Sequence, residues 1–431
     1  MNPRGGFLRV IACAVAVAAA AVAHAQGQAP ARALTVDELV ARALRENPEV
    51  AAARADVQAA RGRLEQAGLR PNPMLELGGQ KALGPDNNVM VGLTLPLDLN
   101  GRKEGRVGVA GRELEMKQAQ LADRERRLTA EVRMKAADLL AARRDLEVTD
   151  DLLRVNREAL TLVGERARRG AIPPLEESLL LVEVNRLEAS RRLLESRIEI
   201  FGLRLKALAA LPADGPLLLA GELGPSPLAL ERAGGIAKAL DRRADMLAAR
   251  ADAAMARAKV LKEEAEGRWD ASVSLNYQRQ DFGYNLNGLT DRGGTRPIQD
   301  VFHYFGAGLT ITLPVRNRNQ GNVAAARAES VAAERRVDFA GLVIRQEVES
   351  AFTQYAATQR SLEIYARGVR EVARRNLDVI RRTYGLGQAS LLDVIAEQRR
   401  YIEIEMGYTE ALKQVYTAAV EIERAIGGPA R

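Results

Sequence analysis

The chain has 431 residues with 63 Lys and Arg against 56 Asp and Glu, a formal charge of +7, one cysteine and two histidines. Cys13 and His24 both fall within the first 25 residues, leaving His303 alone, so disulfide frameworks and Cys/His zinc sites are excluded from the remainder. Basic and acidic residues are interleaved rather than blocked, which reads as solvated faces and gives no nucleic-acid partner.

Arg4 and Arg9 precede an apolar run over 10–22, and Ala23-His24-Ala25 follows as a small-residue cleavage site. Residues 1–25 are therefore expected to be a cleaved secretory signal peptide. Val10-Ile11-Ala12-Cys13 loosely resembles a lipid-attachment box, but the apolar run follows the cysteine instead of ending at it. No later segment approaches the roughly 20 apolar residues a spanning helix needs, so any membrane crossing must use a closed β-barrel.

Thr35, with Glu38 three residues on and Leu34 and Leu39 flanking, opens a helix through a capping box and hydrophobic staple. The helix is expected to run to about Leu69, where Pro71 and Pro73 stop it. Two strands follow, at about 74–80 and 88–97; in the second, Val89, Val91, Leu93 and Leu95 share one face. A helix over 102–168 has no proline and few glycines, and at 1.5 Å per residue is on the order of 100 Å long. A turn at 170–174 reverses it into a returning helix.

The same order recurs. Ala52-Ala53-Arg54-Ala55-Asp56 returns as Ala248-Ala249-Arg250-Ala251-Asp252, and Gly92-Leu93-Thr94-Leu95-Pro96 is echoed by Gly308 to Pro314. Strands at about 270–280 and 301–313 alternate apolar with small or polar residues, the period-two pattern of lipid-out, water-in barrel strands. Between them 281–300, rich in Gly, Asn and Asp, reads as a long exterior loop. Seven aromatic residues between Trp269 and Phe305 suit interfacial belts. A second long helix over 321–384 carries Ile344, Val348, Ala351, Tyr355, Thr358, Leu362, Tyr365 and Val369 in 4-3 steps, a coiled-coil seam. It ends at a turn over 385–390 and a final helix returns.

The chain thus divides into a signal (1–25), a first structural repeat (26–211), an inter-repeat linker or equatorial segment (212–240) and a second repeat (241–431). Four strands cannot enclose a water-filled lumen, and open edges are not tolerated in hydrocarbon, so copies must associate in the membrane. Periodicity alone does not choose three copies over four. No G-x-S-x-G elbow, Walker loop or H-E-x-x-H motif is present, and neither enzymatic activity nor a cofactor or metal site is expected. A structural envelope coiled-coil protein without a pore would explain the heptads but not the alternating strands.

Over essentially all of the chain after residue 25, these features resemble the TolC family of outer-membrane efflux proteins. The likeness rests on the duplicated halves, the Leu-Pro strand exits at Pro96 and Pro314, and the stretch from Tyr384 to Val394, which matches an aromatic-x-x-Gly-x-x-Ser/Thr-x-x-Asp-Val turn. The resemblance implies an α+β membrane protein: a homotrimer with a 12-stranded outer-membrane β-barrel continued by an α-helical coiled-coil periplasmic barrel. It also implies a passive duct from the periplasm through outer-membrane lipid, docked to a periplasmic adaptor (membrane fusion) protein and an inner-membrane pump of RND type. Asp393 matches the family's periplasmic gate aspartate, while Ala389 and Ala396 stand where the type member has an arginine and a second aspartate. Arg169, Gly170 and Ala171, with Leu386, Gly387 and Gln388, match the adaptor-docking turns. Arg70 to Leu77 and Leu95 to Lys103 resemble the cobalt–zinc–cadmium resistance branch, which favours heavy-metal cations as cargo; multidrug efflux and type I secretion are the alternatives.

Overall fold

The computed structural model describes residues 33–83, 86–224 and 231–428; the expected signal, with Cys13, lies outside them. Its elements, in chain order, are α1 (Val36–Glu46), α2 (Pro48–Gly68), β1 (Met74–Lys81), β2 (Asn87–Pro96), α3 (Arg102–Arg168), α4 (Pro174–Leu208), α5 (Arg232–Arg242), α6 (Ala244–Glu266), β3 (Asp270–Leu289), β4 (Thr295–Thr312), α7 (Gln320–Ile364), a π-helical turn (Tyr365–Val369), α8 (Arg370–Gly385) and α9 (Leu391–Ile426). Among the described residues no helix is long and apolar enough to cross a membrane. Among the described residues the chain forms two compact units, one drawn from 33–44, 131–224 and 359–417, the other from 45–130, 231–358 and 418–428.

The expected first helix is two helices. Thr35 and Glu38 do form the reciprocal capping box: Glu38 N–H donates to Thr35 Oγ1 (3.2 Å) and Thr35 N–H to Glu38 Oε2 (2.9 Å). The chain then breaks at Asn47, whose side chain accepts from the N–H groups of Glu49 and Val50 while Pro48 occupies the first helical position. Proline has no N–H to give the preceding turn and biases the residue before it away from helix, so Asn47-Pro48 ends one helix and caps the next. The second half breaks likewise at Arg243, between α5 and α6. Arg243 is 2 % exposed, donates to Ala425 O (3.1 Å) and pairs with Asp245 (2.7 Å) and Glu347 (2.6 Å). Two carboxylates and a carbonyl compensate a cation that would be costly to bury unpaired. α5 begins at Arg232, inside the stretch expected as linker.

The second long helix also departs from the sequence reading. Ile344, Val348, Ala351, Tyr355 and Thr358 are buried along α7, as the heptad requires. Continued strictly, the seam would reach Val372 and Asn376, but Val372 is 49 % exposed and the buried residues are Ala373 and Leu377, one position later. The π turn supplies that extra residue: a single wide turn lets the apolar stripe slip by one while the helix continues. Tyr365, in the π turn, lies against Gly407 of α9, where a β-carbon would sit 2.7 Å from its hydroxyl.

In the unit holding the helical turns, the core is a chain of apolar clusters. One joins Leu152, Leu153, Val184, Leu187 and Ile402; another joins Val163, Leu180, Leu391 and Ile395. Glu183 is 1 % exposed and accepts from Arg186 (2.6 Å) and Arg399 (2.9 Å), linking α4 to α9. Burial alone would raise its pKa, but the hydrogen bonds and charges of the two guanidinium groups outweigh it and hold the carboxyl below its ordinary value.

Candidate functional site: a two-faced sheet and the helical turns

The four strands form one antiparallel sheet in the order β1-β2-β3-β4. The register brings Leu75, Leu93, Leu275 and Ala307 into one row, and Leu77, Val91, Tyr277 and Phe305 into the next on the same face. The opposite face carries Glu76, Gly92, Asn276 and Gly306 in one row and Met74, Thr94, Ser274 and Gly308 in another. Phe305 is 83 % exposed, Leu77 71 % and Leu309 62 %, so one chain leaves the apolar face uncovered. An uncovered face of that kind needs lipid or protein against it. β1 and β4 each pair on one side only, leaving two open edges.

The hairpin β3–β4 runs past the expected strand ends. Its ladder continues through Asp281↔Val301 to Leu289↔Thr295, with an irregularity at Tyr284/Asn287. The 281–300 stretch is thus a paired hairpin closed at 290–294, not a loop: Thr290 N–H donates to Gly294 O (2.7 Å), and the strands pair on both sides of the irregularity. The aromatic cluster also divides. Tyr277 and Phe305 (centroids 5.1 Å apart) stand on the apolar face, and the Tyr277 hydroxyl lies 2.8 Å from His303 Nδ1. By the alternation of the strands, Phe282, Phe302 and Tyr304 stand on the opposite, polar face, Phe282 edge-on to Phe302 at 5.7 Å.

Each strand pair exits into its long helix through a similar corner. Asn100 (φ +63) donates its amide to Trp269 O at 2.6 Å; Asn319 (φ +59) donates its amide to Glu263 O at 2.9 Å and Glu263 Oε2 at 2.7 Å. Asparagine tolerates the left-handed conformation and bonds locally, which suits it to both corners. Arg106 clasps Asp98 (φ +49) through two hydrogen bonds of 3.0 and 2.7 Å. That hydrogen bond holds the Asp98 carboxyl below its ordinary pKa.

The turns at the far ends of the long helices are also alike. Ala171 N–H donates to Arg166 O and Gly170 N–H to Ala167 O, both 2.9 Å; Gln388 N–H donates to Thr383 O (3.0 Å) and Gly387 N–H to Tyr384 O (2.9 Å). This is the same double-bonded helix ending in each half, with glycine at the left-handed position, φ +73 at Gly170 and +76 at Gly387. Arg169, Gly170, Ala171, Leu386, Gly387 and Gln388 are all exposed there. The Tyr384 hydroxyl donates to Glu176 Oε2 at 2.8 Å, tying the second turn to the start of α4. Burial and then the carboxylate partner push the Tyr384 phenol up to about 12.

Asp393 is the third residue of α9 and closes a capping box with Ser390. Its Oδ2 accepts from Ser390 N–H (3.0 Å) and Oγ (2.7 Å), and its own N–H donates to Ser390 Oγ (3.3 Å). These bonds from Ser390 hold its pKa below the ordinary value, so an exposed carboxylate remains charged at the turn. Sequence reading missed Glu176, Tyr384 and Glu183 with Arg399 as partners, because they meet across more than 200 residues of chain. Only the Glu183–Arg186 spacing of three was visible locally.

A duplicated helix–strand–strand–helix–helix chain with a lipid-facing sheet and open strand edges is the subunit of an outer-membrane channel. The chain belongs to the outer membrane efflux protein family, whose model matches residues 39–212 and 235–428. It is 24 % identical over 402 residues to the cobalt-zinc-cadmium resistance protein CzcC of Cupriavidus metallidurans, covering 91 % of this chain and 90 % of that protein. Its fold is similar to the outer-membrane channel OprN (TM-score 0.74, 19 % identity, 92 % of this chain and 90 % of that one). It is also similar to the outer membrane protein VceC of Vibrio cholerae (0.71, 19 %, 92 % and 97 %) and to the open MtrE outer membrane channel of Neisseria gonorrhoeae (0.72, 18 %, 91 % and 89 %). It is an efflux channel protein of the outer membrane.

Proposed function

We propose that three copies of this chain close their sheets into one 12-stranded barrel, and that the pore is the passive exit duct of a tripartite efflux system. The observation that carries this is the sheet: a continuous apolar face, a small and polar face, and unpaired edges on β1 and β4. A closed barrel is the arrangement that satisfies those edges in hydrocarbon. In this reading the repeats are 26–211 and 241–431, and the helical turns meet a periplasmic adaptor through Arg169, Gly170, Ala171, Leu386, Gly387 and Gln388. An inner-membrane pump, of RND type, supplies energy and substrate choice.

Three Asp393 carboxylates around a threefold axis would attract cations and narrow the entrance. With Ala389 and Ala396 beside it the gate has one charged ring, looser than a salt-bridged lock. Heavy-metal cations are the favoured cargo, supported by the likeness to CzcC, whose description is cobalt-zinc-cadmium resistance. Growth of a deletion strain on graded zinc, cobalt, cadmium and copper, beside lipophilic drugs and dyes, tests the cargo. Selective metal sensitivity restored by the gene is the expected result; selective drug sensitivity would move the duct to multidrug efflux, the second reading.

A further inference from the structure

Behind Tyr384, in the unit holding the turns, lies a cavity of about 160 Å³ that the efflux reading does not use. Its walls are mostly apolar, including Val163, Leu180 and Ile395. Into this lining come three polar side chains from three helices, each with a buried atom lacking a hydrogen-bond partner: Asn156 Oδ1 of α3, Arg381 Nη2 of α8 and Gln398 Oε1 of α9. Asn156 is 1 % exposed and Gln398 5 %. Asn156 is also fixed in orientation, because its Nδ2 donates to Leu152 O at 2.8 Å, which leaves Oδ1 as the unsatisfied acceptor of a residue that lines the cavity.

Leaving one such atom unsatisfied is costly, and three around one cavity point to something that fills it. The donor set is specific: one guanidinium, which wants an anionic acceptor, and two amide carbonyls, which want an N–H or O–H donor. A bare halide or sulfate satisfies the first and faces the carbonyl dipoles with nothing to donate. A cation satisfies the carbonyls and meets Arg381. An oxyanion that still carries a proton accepts from Arg381 and gives its O–H to a carbonyl, and dihydrogen phosphate carries one O–H for each of the two carbonyls. Burial works against the Arg381 charge more than Asp378 and Tyr401 support it, so an anion in the cavity would also relieve the guanidinium.

We propose that this cavity is a binding site for a small protonated oxyanion, of the hydrogen phosphate or hydrogen carbonate class, held by Arg381, Asn156 and Gln398. Its occupant joins α3, α8 and α9 immediately behind the Tyr384–Glu176 tie, and so stabilises the helical turns.

The test uses the full-length protein in detergent with inorganic phosphate, hydrogen carbonate, sulfate and chloride at equal ionic strength near neutral pH. Thermal midpoints are measured together with titration calorimetry. Phosphate or hydrogen carbonate should raise the midpoint, and sulfate, equal in shape but without the proton, should not. Whichever of the two gives the larger rise identifies the source. Arg381→Met should abolish the rise, and Gln398→Met, which keeps the volume, should weaken binding by roughly tenfold or more. If Arg381→Met does not fold, Gln398→Met alone decides. Equal responses to sulfate and phosphate, a response that survives either substitution, or a crystal grown in phosphate whose cavity holds only ordered water would overturn the proposal.

Discussion

At the scale of single residues, several side chains are set against their ordinary chemistry, and each has a measurable consequence. Burial pushes the Asp145 carboxyl up to about 6, more than a Thr409 hydrogen bond can offset, and its Oδ1 lacks a partner. The folded protein therefore binds a proton that the unfolded chain, titrating near 3.8, has already released. Stability from this group is full below pH 3.8 and is lost as pH rises through 6. Asp145→Asn removes the buried charge, so at pH 7 it should be more stable than the parent by on the order of 2 kcal/mol. The gap in thermal midpoint should shrink to nothing by pH 4; a gap unchanged between pH 4 and pH 7 would refute the assignment. At the turns, Gly387→Ala forces an L side chain to φ +76 and should cost about 1 kcal/mol, although nothing stands within 4 Å of the new carbon. Asp393→Asn keeps an acceptor for the Ser390 cap but removes the charge, so reversal-potential measurements should show cation preference reduced with the fold intact.

At the scale of elements, regular spacing was legible and interruptions were not. The 67-residue α3, the strand alternation of β2, β3 and β4 and the two glycine turns follow from local rules: absence of proline, period two, and glycine where φ is positive. The break at Asn47-Pro48 was written locally too, but the capping box at Thr35 and the apolar period on either side hid it. The π turn is different in kind. No residue in Tyr365–Val369 announces it; it arises because the stripe after it, Ala373 and Leu377, is one residue out of step with the stripe before it. Deleting Gly368, where even an added β-carbon would meet nothing within 4 Å, should therefore be tolerated: the helix becomes a continuous α-helix with Ala373 and Leu377 still buried. Unchanged helical circular dichroism and an unchanged or higher thermal midpoint are expected, whereas loss of folded protein would show that the wide turn itself is required. Gly407→Ala should do the opposite, driving a methyl into the Tyr365 ring and costing about 1–3 kcal/mol. The pairing of 281–300 and the division of aromatics between faces were hidden because Gly, Asn and Asp read as loop when cross-strand pairing is not visible.

At the scale of the whole molecule, the decisive fact is incompleteness. A four-stranded sheet with an apolar face and two open edges is stable in a bilayer only when other copies close it, which couples membrane insertion to assembly. The family and the two-faced sheet were therefore readable from sequence, while the number of copies, the cargo and the partners depend on surfaces that one chain does not contain. The proposed passive duct would place energy and substrate choice elsewhere and give the exposed turns a role in contact. The most direct test is to purify the full-length protein in detergent, measure its mass, and reconstitute it in a planar bilayer. The account predicts a three-copy species that opens discrete, ohmic, cation-preferring conductance steps. A folded protein that remains a single copy, or a three-copy species that never conducts, would contradict it.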